Sequence, residues 1–274
     1  MLRCLVERSP DTAFITGASS GLGAAYTRLL TAGGYRCTLI ARRSDRLEAL
    51  ARELERTGAP QPRLHRADLA DPQQLAELAR MVASERPNLL VINAGFGLPD
   101  AFYRCDPQDL TRMIRVHVDH VVQLLRAFLA PAPDRATEAP GSKAVIVVAS
   151  IAAFSPAPAP ALYTSTKRFQ VELVRALAIG HRETAFQVLC PGFVHTEFHS
   201  RMGHSSSDRP RLLPWKDATS VARYSLRKLG SGPLVVVPGL AYRILLVLRR
   251  AIPEALYRAV VRRTGWRDGS DRIG

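Results

Sequence analysis

The stretch TGASSGLG, residues 16–23, decides how this 274-residue chain is read. Three glycines fall within eight residues, directly after the apolar run AFIT (13–16) and before a helical pattern over 21–32 that closes at Gly33-Gly34. A strand, a glycine turn and a helix in that order make an anion site. The first N–H groups of the helix lack partners and carry partial positive charge. Gly17 permits the sharp turn, Gly21 a close approach of backbone to phosphate, and Gly23 close packing of helix on sheet. Ser19 and Ser20 add hydroxyls, and Leu22 lies between the last two glycines. The spacing is GxxxGxG rather than GxGxxG, and taken alone the stretch also fits a purely structural turn.

Outward from this loop, strand-like and helix-like runs alternate. TLIA (38–41), RLHRADL (63–69), LLVIN (89–93), VIVVAS (145–150), QVLC (187–190) and LVVV (234–237) follow the first strand. Most are near-continuous apolar runs, the pattern of strands buried on both faces. With helices between them, they predict an α/β domain whose seven-stranded parallel sheet is covered on both sides. Ser44 is expected to cap the helix carrying Leu47, Leu50, Ala51 and Leu54, and Pro72 to open the next one. The Pro/Ala-rich segments 131–143 and 155–161 read as loops within one domain.

Composition sets limits. The chain is 47% hydrophobic and 23% charged, as in an ordinary globular protein. Cys4, Cys37, Cys105 and Cys190 are scattered with no CxxC pair, so neither a zinc framework nor a disulfide scaffold is expected. A reducing cytoplasm fits them best. No apolar run suits a secretory leader or a membrane span. The net charge is +14, and from Arg201 onward 15 Lys/Arg stand against 5 Asp/Glu. Such a region suits an anionic lipid surface, an acidic partner or plain solvent. No aromatic interleaving or reader motif accompanies it, so nucleic acid is not expected.

The end of the second strand sharpens the reading of the glycine loop. A carboxylate there would bind the 2′-hydroxyl of NAD, whereas an arginine accommodates the 2′-phosphate of NADP. The sequence gives Ala41-Arg42-Arg43 with no carboxylate before Asp45. NADP(H) is therefore preferred over NAD(H). The alternative is that both arginines are solvated residues of the helix start.

Further motifs follow in one order: Asp68-Leu69, Asn93-Ala94-Gly95, Ser150, Tyr163-x-x-x-Lys167 and Pro191-Gly192-x-x-x-Thr196. With TGASSGLG they resemble the short-chain dehydrogenase/reductase family, single-domain branch, over roughly residues 10–240. The resemblance implies a Rossmann-type doubly wound sheet and a homo-oligomer. It places Asp68 and Leu69 at the adenine and Asn93, Ala94 and Gly95 against the cofactor. Pro191, Gly192, Val194 and Thr196 fall beside the nicotinamide end. Tyr163 and Lys167 sit four apart and share a helix face. An ammonium there favours tyrosinate, so Tyr163 is expected to titrate below its usual value of about 10 and to act as general acid/base. Lys167 also holds the nicotinamide ribose by resemblance, and Ser150 orients the substrate carbonyl.

One position departs from the family. His117 in Val116-His117-Val118 stands where the family carries an asparagine that supports a helix kink and a proton-relaying water. A histidine also hydrogen-bonds and carries protons. A working substitute, a specialised relay and weakened catalysis are all open, the first being favoured. The expected activity is NADP-dependent interconversion of a ketone and a secondary alcohol. The alternative is an NADP-binding sensor or scaffold with weakened turnover. His195, His199 and His204 lack metal-site spacing, and no metal is expected. They fall in a substrate loop with Phe193, Phe198 and Met202.

Residues 1–238 are assigned to the sheet domain and 239–274 to a basic helical extension packed on it. In that extension, apolar residues recur at helical spacing on both sides of Pro253, flanked by arginines. Packing on the body and contact with a membrane surface are both open, and lipid contact would favour a lipophilic substrate.

Overall fold

Alternate residues of a strand face opposite ways, and here both sides are apolar. In β1 (Thr12–Thr16), Phe14 enters one core while Ala13 and Ile15 enter the other. In β4 (Leu89–Ile92), Leu90 and Ile92 join Phe14, and Leu89 and Val91 face the opposite way. β5 (Lys143–Val148) repeats the division with Val145 and Val147 against Ala144, Ile146 and Val148. This two-sided burial is why the sequence shows runs instead of alternation.

The computed structural model describes residues 11–131, 143–156, 160–198 and 214–263. With β2 (Arg36–Ala41), β3 (Arg63–Arg66), β6 (Thr184–Leu189) and β7 (Val235–Val236), the strands form one parallel sheet in the order 3-2-1-4-5-6-7. One face is covered by α1 (Gly21–Ala32), α2 (Ser44–Arg56) and α7 (Ala218–Lys228). The other is covered by α3 (Pro72–Glu85), α5 (His120–Leu129) and α6 (Ala161–Gly180). The chain reverses direction across the sheet between β1 and β4. Ligands of such folds bind outside the carboxyl ends of the strands at that point.

Local chemistry sets the helix starts. Asp71 Oδ1 accepts from the N–H of Gln73 (2.8 Å) ahead of α3, with Pro72 as the first helical residue. Ser44 is not the cap of α2. The helix begins at Ser44 itself, the extended Arg43 takes the cap position, and no side chain caps it. The third strand ends at Arg66, short of the expected 69, and the seventh is only two residues long. α4 (Pro107–Ile114) runs through a π-helical turn (Arg115–Asp119) into α5.

At the carboxyl end, α8 (Leu240–Ala251) and α9 (Glu254–Arg263) break at Pro253, as the sequence suggests. Tyr242 and Leu246 reach the core. The side facing away from them is apolar yet open: Leu240, Val247 and Leu248 are 70, 65 and 58% exposed. No helix among the described residues is long and apolar enough to cross a membrane. Cys4, His199, Met202, His204, residues 132–142 of the first Pro/Ala-rich loop and 157–159 of the second lie outside the described residues.

Candidate active site

The glycine loop occupies the sheet's switch point because nothing larger fits there. Gly17 and Gly21 adopt positive φ (67° and 54°), which disfavours side chains. A Cβ on Gly17 would lie 2.8 Å from Asn93 Nδ2 and 2.9 Å from Ala94 Cα. One on Gly23 would lie 2.2 Å from the Gly17 carbonyl oxygen. The loop is also stitched to β4. Asn93 Nδ2 donates to the carbonyls of Thr16 (3.0 Å) and Gly17 (3.2 Å). Thr16 Oγ1 accepts from the N–H groups of Asn93 (3.0 Å) and Ala94 (3.1 Å). Ser20 precedes α1 without capping it. The cradle therefore combines a backbone stripped of side chains with an uncapped helix start, which suits a dinucleotide's pyrophosphate.

The cleft above this loop gathers the expected residues. Gly17, Ser19, Ser20, Gly21 and Leu22 line it with Arg42, Arg43, Asp68, Leu69 and Asn93 to Gly95. Ser150, Tyr163, Lys167, Pro191, Gly192, Val194 and Thr196 complete the wall. His117 alone of the expected site residues does not line it. Sequence reasoning missed Phe96 and Glu197, which do. Phe96 lies just beyond Asn93-Ala94-Gly95 and could have been read as an extension of that motif. Glu197 had no local signal, because its partners are remote in sequence. Arg43 Nη2 donates to Ser19 Oγ (3.2 Å) and Ser20 Oγ (3.0 Å), while Nη1 donates to Glu197 (3.0 Å). Arg46 pairs with the same carboxylate. Asp68 pairs with Arg112 at 2.6 Å and accepts from the Ala70 N–H, and these contacts help hold its carboxyl below the usual range.

Tyr163 sits in the first turn of α6 and Lys167 one turn on, both buried. Ser150 follows β5, and its Oγ accepts from the Ala152 N–H (3.1 Å). The expectation that Lys167 drags Tyr163 down does not hold, because burial acts the other way. Burial pushes Tyr163 up to about 12, against a lowering hydrogen bond with Ser150. Burial also brings Lys167 down to about 8. The Lys167 ammonium lies 5.8 Å from the tyrosine ring centroid, and desolvation of the phenolate outweighs it there. Phe198, which also lines the cleft, packs with its ring centroid 5.6 Å from that of Tyr163.

His117 lies behind Tyr163, with ring centroids 5.7 Å apart. It is fully buried in the π turn. The Phe96 N–H donates to His117 Nε2 (3.0 Å), which assigns the ring proton to Nδ1. Nδ1 then donates to Thr166 Oγ1 (2.9 Å), and Thr166 donates to the Tyr163 carbonyl (2.9 Å). Burial and Lys167 hold the His117 pKa well below its usual value. His120, whose Nδ1 meets the Val116 carbonyl, is held at about 4. Below pH 6.5 the unfolded chain takes up a proton at His120 that the fold refuses, so stability rises with pH between about 4 and 6.5. Full stability above pH 6.5 should fall by up to about 3 kcal/mol toward pH 4 from this group. Urea midpoints compared at pH 7 and 5 test this, and His120→Leu should flatten the decline.

Phe193 stacks on Trp215 and His195 packs on it at a tilt, each with ring centroids 5.1 Å apart. Tyr242 reaches the same loop from α8. Its hydroxyl accepts from the Phe193 N–H (3.0 Å) and donates to the Pro214 carbonyl (2.9 Å). Its ring takes the space a Gly192 Cβ would need, 2.1 Å from the nearest ring atom.

A doubly wound sheet with a glycine loop free of side chains at its switch point is the arrangement in which open α/β sheets bind dinucleotides. Residues 11–206 match the short chain dehydrogenase family, and the chain belongs to it. Human 17-beta-hydroxysteroid dehydrogenase type 3 is 30% identical over 67% of the chain, a match spanning 59% of the human protein's length. Sulfoacetaldehyde reductase from Chromohalobacter salexigens is 34% identical over 69% of the chain and 74% of its own length. Among solved structures, a short-chain dehydrogenase from Sphingobium yanoikuyae in complex with NADPH is 26% identical with a TM-score of 0.75. That match covers 89% of this chain and 97% of the other. Oxidoreduction of small molecules with a nucleotide cofactor is the general chemistry of that family.

Proposed function

We propose that the protein interconverts a ketone and a secondary alcohol with NADP(H), using Tyr163 as general acid/base. The observation that carries this reading is the meeting of Ser150, Tyr163 and Lys167 in the cleft that the glycine loop also lines. When bound, the nicotinamide nucleotide supplies or accepts the hydride. Ser150 Oγ orients the substrate oxygen, and the Tyr163 hydroxyl gives that oxygen a proton or takes one from it. Held protonated at about 12, Tyr163 starts as an acid, which suits ketone reduction near neutral pH. Lys167 holds the ribose end and makes the phenolate left on Tyr163 less unfavourable. His117, with both ring nitrogens engaged, steadies the wall behind Tyr163.

Arg42 and Arg43 support NADP(H), as does the NADPH in the Sphingobium complex. Arg43→Ala should weaken NADPH binding about tenfold or more, by loss of a charge-assisted contact, and leave NADH affinity nearly unchanged. Quenching titrations with the two nucleotides test this. Equal losses for both would place Arg43 in the general architecture of the cleft instead.

The same reading favours a lipophilic ketone. The steroid-dehydrogenase relative and the apolar Phe96, Val194 and Phe198, which line the cleft with Tyr163, support it. So does the open apolar side of α8 and α9, where Leu240, Ile244, Val247, Leu248, Leu256 and Val260 lie exposed. Arg243, Arg250, Arg258 and Arg262 lie exposed along it. The charge opposes pairing of two copies through this side and favours an anionic bilayer surface. Val247→Asp with Leu248→Asp should abolish cosedimentation with phosphatidylserine-containing vesicles while NADPH binding persists. Failure of the unsubstituted protein to sediment with such vesicles would remove the membrane contact from the reading. The cytoplasmic setting and the homo-oligomer expected from the sequence stay part of the proposal, testable by fractionation and by light scattering.

A further inference from the structure

Lys167 is a buried cation, and no ion pair with a carboxylate balances it among the described residues. Its ammonium donates to the Val148 carbonyl (2.9 Å) and to Gln170 Oε1 (3.1 Å). The titratable groups that bear on it are Tyr163 on α6, His117 and His120 at the π turn, and Cys190 after β6. Burial keeps every one of them uncharged near neutral pH: the histidines titrate low, and Tyr163 and Cys190 stand at about 12. Arg175, which is felt at Cys190, is also a cation. The charge therefore rests on two neutral acceptors. One is a main-chain carbonyl that no substitution can remove, and the other is Gln170.

Gln170 has a second engagement. Its Nε2 donates to the His117 carbonyl (2.9 Å), inside the π turn. A π turn disturbs the regular helical ladder, and here two successive carbonyls are met by side chains: Val116 by His120, and His117 by Gln170. The amide fits only one way round. Reversed, it would set its NH2 against an ammonium and its oxygen against a carbonyl. Gln170 is buried and lies on α6 three residues after Lys167. An ammonium has three donors, and two are used by Val148 and Gln170. The third is left for the cleft that Lys167 lines.

We infer that Gln170 is a positioning residue for Lys167: its side-chain amide bridges the ammonium directly to the main chain of the π turn that carries His117. The inference rests on the proposed roles of Tyr163 and Lys167. In this chain the bridge is made of protein. A glutamine amide holds the lysine but does not pass a proton onward, and the His117 ring has no free nitrogen to do so. The π turn and the catalytic lysine are thereby coupled, and a shift of one pulls on the other.

The chain has four lysines among its 38 basic residues, which makes the test direct. Lysine-selective 15N labelling of the cofactor-free protein, with Lys167 assigned from its loss in Lys167→Met, follows the ammonium by NMR against pH. Gln170→Leu removes the acceptor and should lower the Lys167 titration by at least one unit from about 8. Gln170→Glu keeps the acceptor, adds a charge, and should raise it by at least one unit. If both variants titrate like the unsubstituted protein, the inference is overturned. Thermal melts confirm that each variant is folded. Should Gln170→Leu not fold, the opposite shift in Gln170→Glu still decides. Turnover is a separate arm: Gln170→Leu should lower kcat about tenfold and displace its pH profile, whereas a purely structural role would leave that profile in place. An unsubstituted protein that neither binds NADPH nor turns over any ketone defeats the functional reading and leaves the titration result standing.

Discussion

Tyr163→Phe should reduce kcat for ketone reduction by about 10²–10⁴, the usual contribution of a positioned general acid. The substitution deletes one oxygen and keeps the ring that packs against Phe198 and His117. It also removes the hydroxyl's hydrogen bond with Ser150, so stability should fall by no more than about 1.5 kcal/mol. NADPH affinity should stay within about threefold, because the glycine loop and Arg43 are untouched. Turnover assays over a panel of ketones, beside a fluorescence titration with NADPH, measure both quantities. Retained turnover in the variant would take the acid/base role from Tyr163. Tight binding with no turnover even before substitution would favour a nucleotide sensor.

Gly23→Ala should have an effect of comparable size by another route. The new Cβ would lie 2.2 Å from the Gly17 oxygen, which is backbone and cannot swing aside. Relief requires α1 to move off the loop, and overpacking of this kind costs about 1–3 kcal/mol or more. That movement would pull the Asn93 stitch apart and open the phosphate cradle. NADPH binding should therefore fall by about 10²-fold, at about 1.4 kcal/mol per factor of ten, together with a clear loss in Tm. Gly180→Ala is the control, because nothing lies within 4 Å of its Cβ position at the end of α6. It should leave binding alone and be neutral or stabilising by up to about 1 kcal/mol. If Gly23→Ala binds NADPH normally, the loop is not the phosphate cradle.

How far the sequence reveals this protein depends on the range of the forces involved. The glycine loop, the two-faced strands and the Pro72 helix start were legible because each is settled by its neighbours in the chain. The cleft residues were legible because their motifs keep a fixed order along strands whose ends converge. What escaped required packing. Glu197 offers no local pattern, yet it holds Arg43 from 154 residues away. Gln170 reads as one polar residue on a long helix, and only folding sets the His117 carbonyl against its amide. The direction of the Tyr163 shift was misread for the same reason. Charge can be counted in a sequence, whereas the loss of water around a phenol depends on residues brought in from several elements. Ser44 shows the reverse case, a good capping residue displaced because the helix begins one residue sooner.

The Tyr242 contact sets α8 directly behind Gly192, a residue of the cleft wall. One phenol fills the hollow over Gly192 and ties Phe193 to Pro214. Removal of residues 239–274 would leave that hollow empty, so a boundary at 238 divides the chain through a working contact. Reciprocity then applies. If displacement of Tyr242 by something bound at α8 alters the affinity for a nucleotide, the nucleotide alters the affinity of that partner by the same factor. Occupancy of the cofactor cleft and attachment of the carboxyl-terminal helices would then report on one another.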